Sequence, residues 1–326
     1  MISQEAIFQI NSKKEFDKIT LKVFRHQYDN NLVYQQFCNL LRKDKNNVKS
    51  VLDIPFLPIQ FFKSHEVLSS DKAIQTTFTS SGTTGMQRSK HLVTDVSWYE
   101  ESYRLAFSEF YGNIEDYCVL ALLPSYLERE GSSLIHMVED LITLSNHQDS
   151  GFYLNNYDEL ISKLIELDSS GQNVLLIGVT YALLDLIEMQ KFQLKNTIIM
   201  ETGGMKGKRK EMIREELHSL LCNGFGVSKI HSEYGMTELL SQAYSLGDGV
   251  FECPPWMQIL IRDTEDALTY VAEGKTGGIN VIDLANINSC SFIATQDLGK
   301  KQPNHSFEVL GRFDNSDIRG CNLMVL

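Results

Sequence analysis

The chain has 326 residues, 43% of them hydrophobic, with 30 Lys and Arg against 42 Asp and Glu and a formal net charge of −12. That length holds one large domain or two ordinary ones, with enough apolar content for a real core, and the composition excludes disordered and fibrous classes. The acidic balance excludes a nucleic-acid backbone or an anionic membrane surface as the main partner, though a nucleotide needs only a local cluster of donors.

Residues 1 to about 50 carry Phe16, Ile19, Val23, Leu32, Phe37, Leu40 and Leu41 at helical spacing among charges, which predicts helices. Pro55 and Pro58 break that pattern. Residues 1–70 therefore read as a helical N-terminal cap over the sheet that follows, without chemistry of its own. No apolar leader is visible in the first thirty residues. The most apolar run, Val174 to Met189, is interrupted by Gly178, Asp185 and Glu188, so no membrane span is expected. The six cysteines, Cys38, Cys118, Cys222, Cys253, Cys290 and Cys321, lie scattered with no C-x-x-C pair. Reduced thiols and a cytoplasmic location are the expectation.

After a strand-like run from Ala73 to Phe78, positions Thr79 to Gly85 hold five hydroxyl residues and two glycines. Glycine lets backbone approach a ligand closely, and short hydroxyls add donors to the amide N–H groups. Such a loop suits phosphate oxygens, with Arg88 and Lys90 supplying charge. The same residues also make an ordinary polar surface loop.

A helix capped by Asp95 or Ser97 is predicted next, then a strand at Tyr117–Leu123 and a helix from about Leu134 to Leu144. The rhythm continues with helix 158–167, strand 173–178, helix 181–190, strand 196–200, helix 208–222 and strand 227–231. Strands alternating with helices predict an α/β core over 71–249, a parallel sheet covered on both faces. Ligands in such sheets sit beyond the carboxyl ends of strands. There stand Gly203-Gly204 and Tyr234-Gly235-Met236-Thr237-Glu238. Strand-like runs at 256–261, 278–284, 291–295 and 306–310 predict a β-rich subdomain over 250–326.

Three stretches can be read together: the hydroxyl-glycine loop, Tyr234 to Glu238, and Thr295-Gln-Asp297 followed by Gly311-Arg312. An aromatic ring can stack on a purine, a carboxylate such as Glu238 can hold a phosphate-bound Mg²⁺, and Asp297 can accept from both hydroxyls of a ribose. Singly, each is equally a core ring, a helix-start charge or a turn residue. In this order they resemble the adenylate-forming superfamily of acyl-CoA synthetases, luciferases and adenylation domains. Within it the chain looks most like the acyl-protein synthetases of the LuxE type. The likeness rests on Ser80-Ser-Gly-Thr-Thr-Gly, Ser89-Lys-His, Ser232-Glu-Tyr-Gly-Met-Thr-Glu, Phe307-Glu-Val-Leu-Gly-Arg and Asp317-Ile-Arg-Gly-Cys, and runs from about residue 50 to 326.

The resemblance implies a single adenylate-forming core, mostly parallel sheets flanked by helices with a smaller C-terminal β subdomain, acting with ATP and Mg²⁺ on a carboxylic, fatty acid. Ser80, Ser81, Gly82, Thr83, Thr84, Gly85 and Lys90 would handle the triphosphate, and Gly203, Gly204 and Tyr234 the adenine. Gly235 makes the tight turn, Thr237 and Glu238 would face the α-phosphate and metal, and Asp297 and Arg312 would grip the ribose. The acyl group then passes to a thiol. Cys321 is the candidate carrier, its thiolate favoured by Arg319; it reads equally as a buried residue of a last strand. Cys290 and Cys253 are rivals.

Where the superfamily has Pro-Lys after the loop, this chain has Gln87-Arg88-Ser89-Lys90. Its lid domain and lid lysine have no counterpart before Leu326; the expectations are slower adenylation, substitution by Arg88, Lys90 or Lys206, or a site that has lost adenylation. Candidate walls of an acyl tunnel are Tyr126, Gly131 to His136, and Gly178 to Thr180. His91 and His136 are read as satisfied groups without a catalytic role. An acyl-group reductase or carrier protein is the expected acceptor; the alternatives are an acyl- or aryl-CoA ligase relative and a non-catalytic nucleotide- or acyl-binding module.

Overall fold

Two sheets meet along the stretch from Tyr234 to Asp283, and that seam organises the molecule. The computed structural model describes residues 2–80, 87–124, 131–154, 156–204, 208–210 and 212–313; the statements below concern these residues. The chain begins with helices α1 (Gln4–Phe8), α2 (Lys13–Asn30) and α3 (Leu32–Leu40), then strand β1 (Leu57–Pro58) and helix α4 (Phe61–Ser64). Ser12 and Asn31 accept from backbone N–H groups at the starts of α2 and α3, satisfying donors that have no partner within the helix.

Strands β2 (Thr76–Thr79) and β3 (Lys90–Val93) form an antiparallel hairpin. The second strand was not expected, because four residues beside a polar loop carry little periodic signal. Helix α5 (Ser97–Tyr111) follows, with Val96 rather than Asp95 or Ser97 at the cap position; Ser97 instead donates to Asp95. Then come β4 (Tyr117–Leu122), α6 (Ser133–Ser145), β5 (Gly151–Phe152), α7 (Tyr157–Ser170), β6 (Asn173–Val179), α8 (Thr180–Met189), β7 (Thr197–Thr202), α9 (Arg214–Phe225), β8 (His231–Tyr234) and β9 (Ala243–Ser245). The first sheet runs β5-β4-β6-β7-β8-β9. All its pairings are parallel except β8–β9. Buried runs such as Leu120, Ala121, Leu122 and Leu175, Leu176, Ile177 show both faces covered, as continuous apolar strands require.

Strands β10 (Val250–Phe251), β11 (Met257–Arg262), β12 (Thr276–Asp283), β13 (Phe292–Lys301) and β14 (Phe307–Arg312) complete the chain. They build a second sheet, ordered β10-β14-β13-β12-β11, with β1 joined to β13 in parallel. The fold class is thus the expected α/β one, with β10 to β14 antiparallel to one another in this second sheet.

The N-terminal helices lie chiefly against the second sheet rather than the parallel sheet that follows them in sequence. Phe292 packs against Phe24, Tyr34 and Phe56. The Gln27 amide donates to the carbonyls of Asn286 and Ile287. Across the seam, the Asp283 carboxylate accepts from the backbone of Leu240 and Ser241 and from the Ser241 hydroxyl. The Trp256 indole donates to Ser102 and Ser241.

Candidate active site

The neck of the hydroxyl-glycine loop is closed by the β2–β3 hairpin, with Thr79 opposite Lys90. Beyond that pair, Ser80 N–H donates to the Ser89 carbonyl at 3.1 Å, and Ser89 N–H donates to the Ser80 hydroxyl at 2.9 Å. Ser81, Gly82, Thr83, Thr84 and Gly85 lie outside the described residues, as do Tyr126, Lys206 and Cys321. The period of two along β3 sends Lys90 outward and His91 inward: Lys90 is exposed and His91 buried. Arg88 is also exposed.

Strand β8 delivers Tyr234 to the seam. The strand covers 231–234 rather than the expected 227–231, so the tyrosine is its last residue and not part of the following turn. Its ring is 8% exposed, with Phe251 and Phe307 edge-on at 6.0 and 5.6 Å. Its hydroxyl donates to Asp297 Oδ2 at 2.9 Å. The adjacent Gly235 is required by its neighbour: a Cβ there would stand 2.3 Å from Glu233 Oε1.

Thr237 and Glu238 are clamped from two directions. His91 Nδ1 lies 2.8 Å from the Thr237 carbonyl, and its Nε2 lies 3.0 Å from Asn286 Oδ1. Asn286 Nδ2 in turn donates to the Glu238 carbonyl at 2.8 Å, which fixes the orientation of the amide. Burial holds the imidazole down near a pKa of about 4, opposed by the two acceptors that its ring nitrogens face. Glu238 is 5% exposed. Burial raises its carboxyl above the usual range, opposed by a hydrogen bond from Ser89 and by the charges of Arg312 and Lys63. His91 and His136 are satisfied groups, as expected: His136 stacks on Tyr99 and contacts Glu100.

Asp297 and Arg312 are direct cross-strand partners in the β13–β14 ladder. Asp297 is 7% exposed, whereas the Arg312 side chain is 81% exposed, its Nε 3.3 Å from Asp297 Oδ1. The Asp297 carboxylate thus stands between a phenol and a guanidinium, both donors. Thr202 pairs with Glu233 in the β7–β8 ladder, which sets Gly203 and Gly204 beside Tyr234 at the carboxyl ends of adjacent strands. Gly203 has φ 66°, a left-handed conformation that favours glycine, and its carbonyl accepts from Thr180.

The structure therefore brings together Ser80, Lys90, Gly203, Gly204, Tyr234, Gly235, Thr237, Glu238, Asp297 and Arg312 around one seam, linked by Ser89 on Glu238 and Tyr234 on Asp297. Reading motifs one at a time assigned no contact to Ser89 or His91 and did not single out Lys63 and Asn286. Ser89 and His91 sit beside Lys90, and their alternation was a usable signal. Lys63 and Asn286 arrive from distant segments and carried none.

Two expectations about the acyl tunnel change. A Cβ on Gly178 would stand 2.7 Å from Leu183, so the space beside this glycine is filled by leucine, and Val179 and Thr180 are buried behind it. Gly131 lies against β2, where a Cβ would stand 2.8 Å from the Thr77 carbonyl; its smallness serves close packing. The rival thiols are poor nucleophiles. Burial pushes Cys253 up to about 12 and raises Cys290 further, and the thiolate is the reactive form.

Among the described residues no cluster of three or more metal-capable side chains occurs. A nucleotide-bound Mg²⁺ needs only one or two carboxylates besides phosphate and water, and the buried Glu238 suits that role. No helix among the described residues is long and apolar enough to cross a membrane.

The family model described as "Acyl-protein synthetase, LuxE" matches residues 6–111 and 136–326. A long-chain-fatty-acid–luciferin-component ligase of Vibrio harveyi is 22% identical over 347 residues, covering 95% of this chain and 87% of the relative. One of the same name from Photorhabdus luminescens is 37% identical over 71 residues, 22% of this chain and 60% of the relative. Among solved structures, ATP-bound MatB from Rhodopseudomonas palustris superposes with TM-score 0.56 at 17% identity over 75% of this chain, which spans about half (50%) of MatB. An open conformation of 2-hydroxyisobutyryl-CoA ligase, in complex with 2-HIB-AMP and CoA, superposes with TM-score 0.66 at 12% identity, covering 93% of this chain and 71% of that one. At such identities the structures establish the fold, that of adenylate-forming ligases.

Proposed function

This chain belongs to the LuxE acyl-protein synthetase family, and from that premise we propose that it activates a long-chain fatty acid with ATP and passes the acyl group to a protein thiol. The reaction is attack of the acid's carboxylate oxygen on the α-phosphorus of ATP, breaking the α–β phosphoanhydride bond. It yields acyl-adenylate and pyrophosphate. A thiolate then attacks the acyl carbon, AMP leaves, and a thioester remains.

The observation that carries this reading is the hydrogen-bonded convergence of the three separated stretches: His91 on Thr237, and Tyr234 and Arg312 on Asp297. In the proposal Ser80 and the loop through Gly85, with Arg88 and Lys90, hold the triphosphate and offset charge as pyrophosphate leaves. Tyr234, Gly203 and Gly204 flank the adenine. Asp297 accepts from the ribose hydroxyls and Arg312 donates to ribose or phosphate oxygens. Glu238 holds Mg²⁺ with Thr237 beside it; bound, the metal supplies positive charge to the phosphate oxygens. Cys321 carries the acyl group, and the acceptor beyond it is an acyl-group reductase or carrier protein.

Exchange of labelled pyrophosphate into ATP, dependent on added tetradecanoic or hexadecanoic acid, is the expected result. No exchange with any of a series of acids would leave a binding module instead. Incubation with ATP and labelled fatty acid should give hydroxylamine-labile label on the parent chain and none on Cys321→Ser. Retention by the variant would place the thioester on another cysteine.

A further inference from the structure

The ladder between β12 and β13 is broken where the site needs it. Gly278 pairs with Leu298, but Asn280 pairs with Ala294. Thr295, Gln296 and Asp297 therefore stand opposite the single residue Ile279. A bulge of this kind leaves ladder groups unpaired and re-aims side chains, and here it turns the Asp297 carboxylate to Tyr234 and Arg312.

Arg262 of β11 fills the gap. Its Nη1 donates to the Ile279 carbonyl at 2.7 Å and to Asn280 Oδ1 at 2.8 Å, and its Nη2 donates to the Thr295 carbonyl at 2.6 Å. Thr295 Oγ1 donates to the same Ile279 carbonyl at 2.9 Å and accepts from Asp297 N–H at 3.1 Å. The guanidinium is admitted by Gly278, its partner in the β11–β12 ladder, where a Cβ would stand 2.4 Å from Arg262 Cζ. Phe313 lies 5.4 Å from it on the other side. Arg262 is only 9% exposed, and its hydrogen bonds go to carbonyl and amide oxygens. Burying a charge there is costly, and a planar fork is the side chain that can reach acceptors on two strands at once.

We propose that Arg262 is a positioning residue for nucleotide recognition: it staples the bulge that carries Asp297 and thereby sets discrimination for the ribose hydroxyls. The inference rests on the reading of Asp297 as the ribose acceptor.

The test is calorimetric titration of the full chain with Mg-ATP and Mg-2′-deoxy-ATP, for the parent, Arg262→Lys, Gly278→Ala and Asp297→Asn. The parent should bind ATP about tenfold more tightly than the 2′-deoxy nucleotide, the loss of one charge-assisted hydrogen bond. Arg262→Lys keeps the charge but not the fork, and should bring that ratio toward one by weakening ATP more than the 2′-deoxy nucleotide. Gly278→Ala, which displaces the guanidinium without removing it, should do the same and serves if the lysine variant does not fold. If both arginine-site variants keep the parent ratio while Asp297→Asn loses it, Arg262 is a structural brace and the inference is overturned, with the reading of Asp297 intact. If Asp297→Asn also keeps the ratio, the ribose reading itself has failed.

Discussion

Glu233 immediately precedes Tyr234 and is half-buried, with no ion pair among the described residues. Thr202 donates to its Oε2 at 2.6 Å, yet burial, with the nearby charge of Glu201, pushes its carboxyl from 4.5 up to about 7. Between pH 4.5 and 7 the native state therefore binds more protons than the unfolded chain, so this group's contribution falls as pH rises. His91 works in the other direction. Its native pKa of about 4 lies below the ordinary 6.5, so its contribution is full above pH 6.5 and is lost as pH falls toward 4. Each shift corresponds to about 3 kcal/mol, and over the shared window the two slopes oppose each other. Glu233→Gln keeps an acceptor for Thr202 and removes the acid. It should melt several degrees above the parent at pH 8 and together with it at pH 4, as read by calorimetry across that range. Parallel curves would refute the assignment.

At the scale of elements, the β2–β3 hairpin joins Ser80 to Ser89 and leaves the side chains of Arg88 and Lys90 without an ion pair among the described residues. Both are exposed. Replacing either with Met should leave stability within about 0.5 kcal/mol. If they hold the triphosphate, Lys90→Met should weaken Mg-ATP binding about tenfold or more, the worth of a charge-assisted contact, with less effect on AMP. Equal loss for ATP and AMP would move Lys90 away from the β- and γ-phosphates. The same hairpin shows how β3 works on both faces: one residue presents a cation to solvent, and the next holds the backbone of Thr237.

Across the whole molecule, the N-terminal helices support the sheet that carries Asp297. Phe292 stacks on Tyr34 at 5.9 Å and meets Phe24 and Phe56 edge-on, and Gln27 ties α2 to the turn at Asn286. Phe292→Ala should cost about 3–5 kcal/mol, measured by denaturant unfolding. Because Asn286 also holds His91 and Glu238, the variant should lose ATP affinity although it touches no proposed ligand contact. Unchanged affinity in the folded variant would separate the helices from the site.

What could be read from the amino-acid order was whatever is local or strictly patterned. Alternating strand and helix runs predicted the parallel sheet, because both-faces-buried strands must be continuously apolar. The motifs Tyr234–Glu238, Thr295–Asp297 and Gly311–Arg312 were visible because each gathers restricted residue types at neighbouring positions. The family membership follows from the same restriction. Only the tertiary structure decided the rest. It paired Asp297 with Arg312 across a ladder, brought Ser89 and Lys63 to Glu238, made His91 a clamp rather than a surface group, and filled the space beside Gly178 with Leu183. The contacts at Asp297, Glu238 and His91 join separate segments, and register, bulges and side-chain packing between sheets leave no periodic trace in the chain. The buried arginine at 262 is the clearest case: as one polar residue ending an apolar strand it carries no signal, until Gly278 and the broken ladder show what it holds.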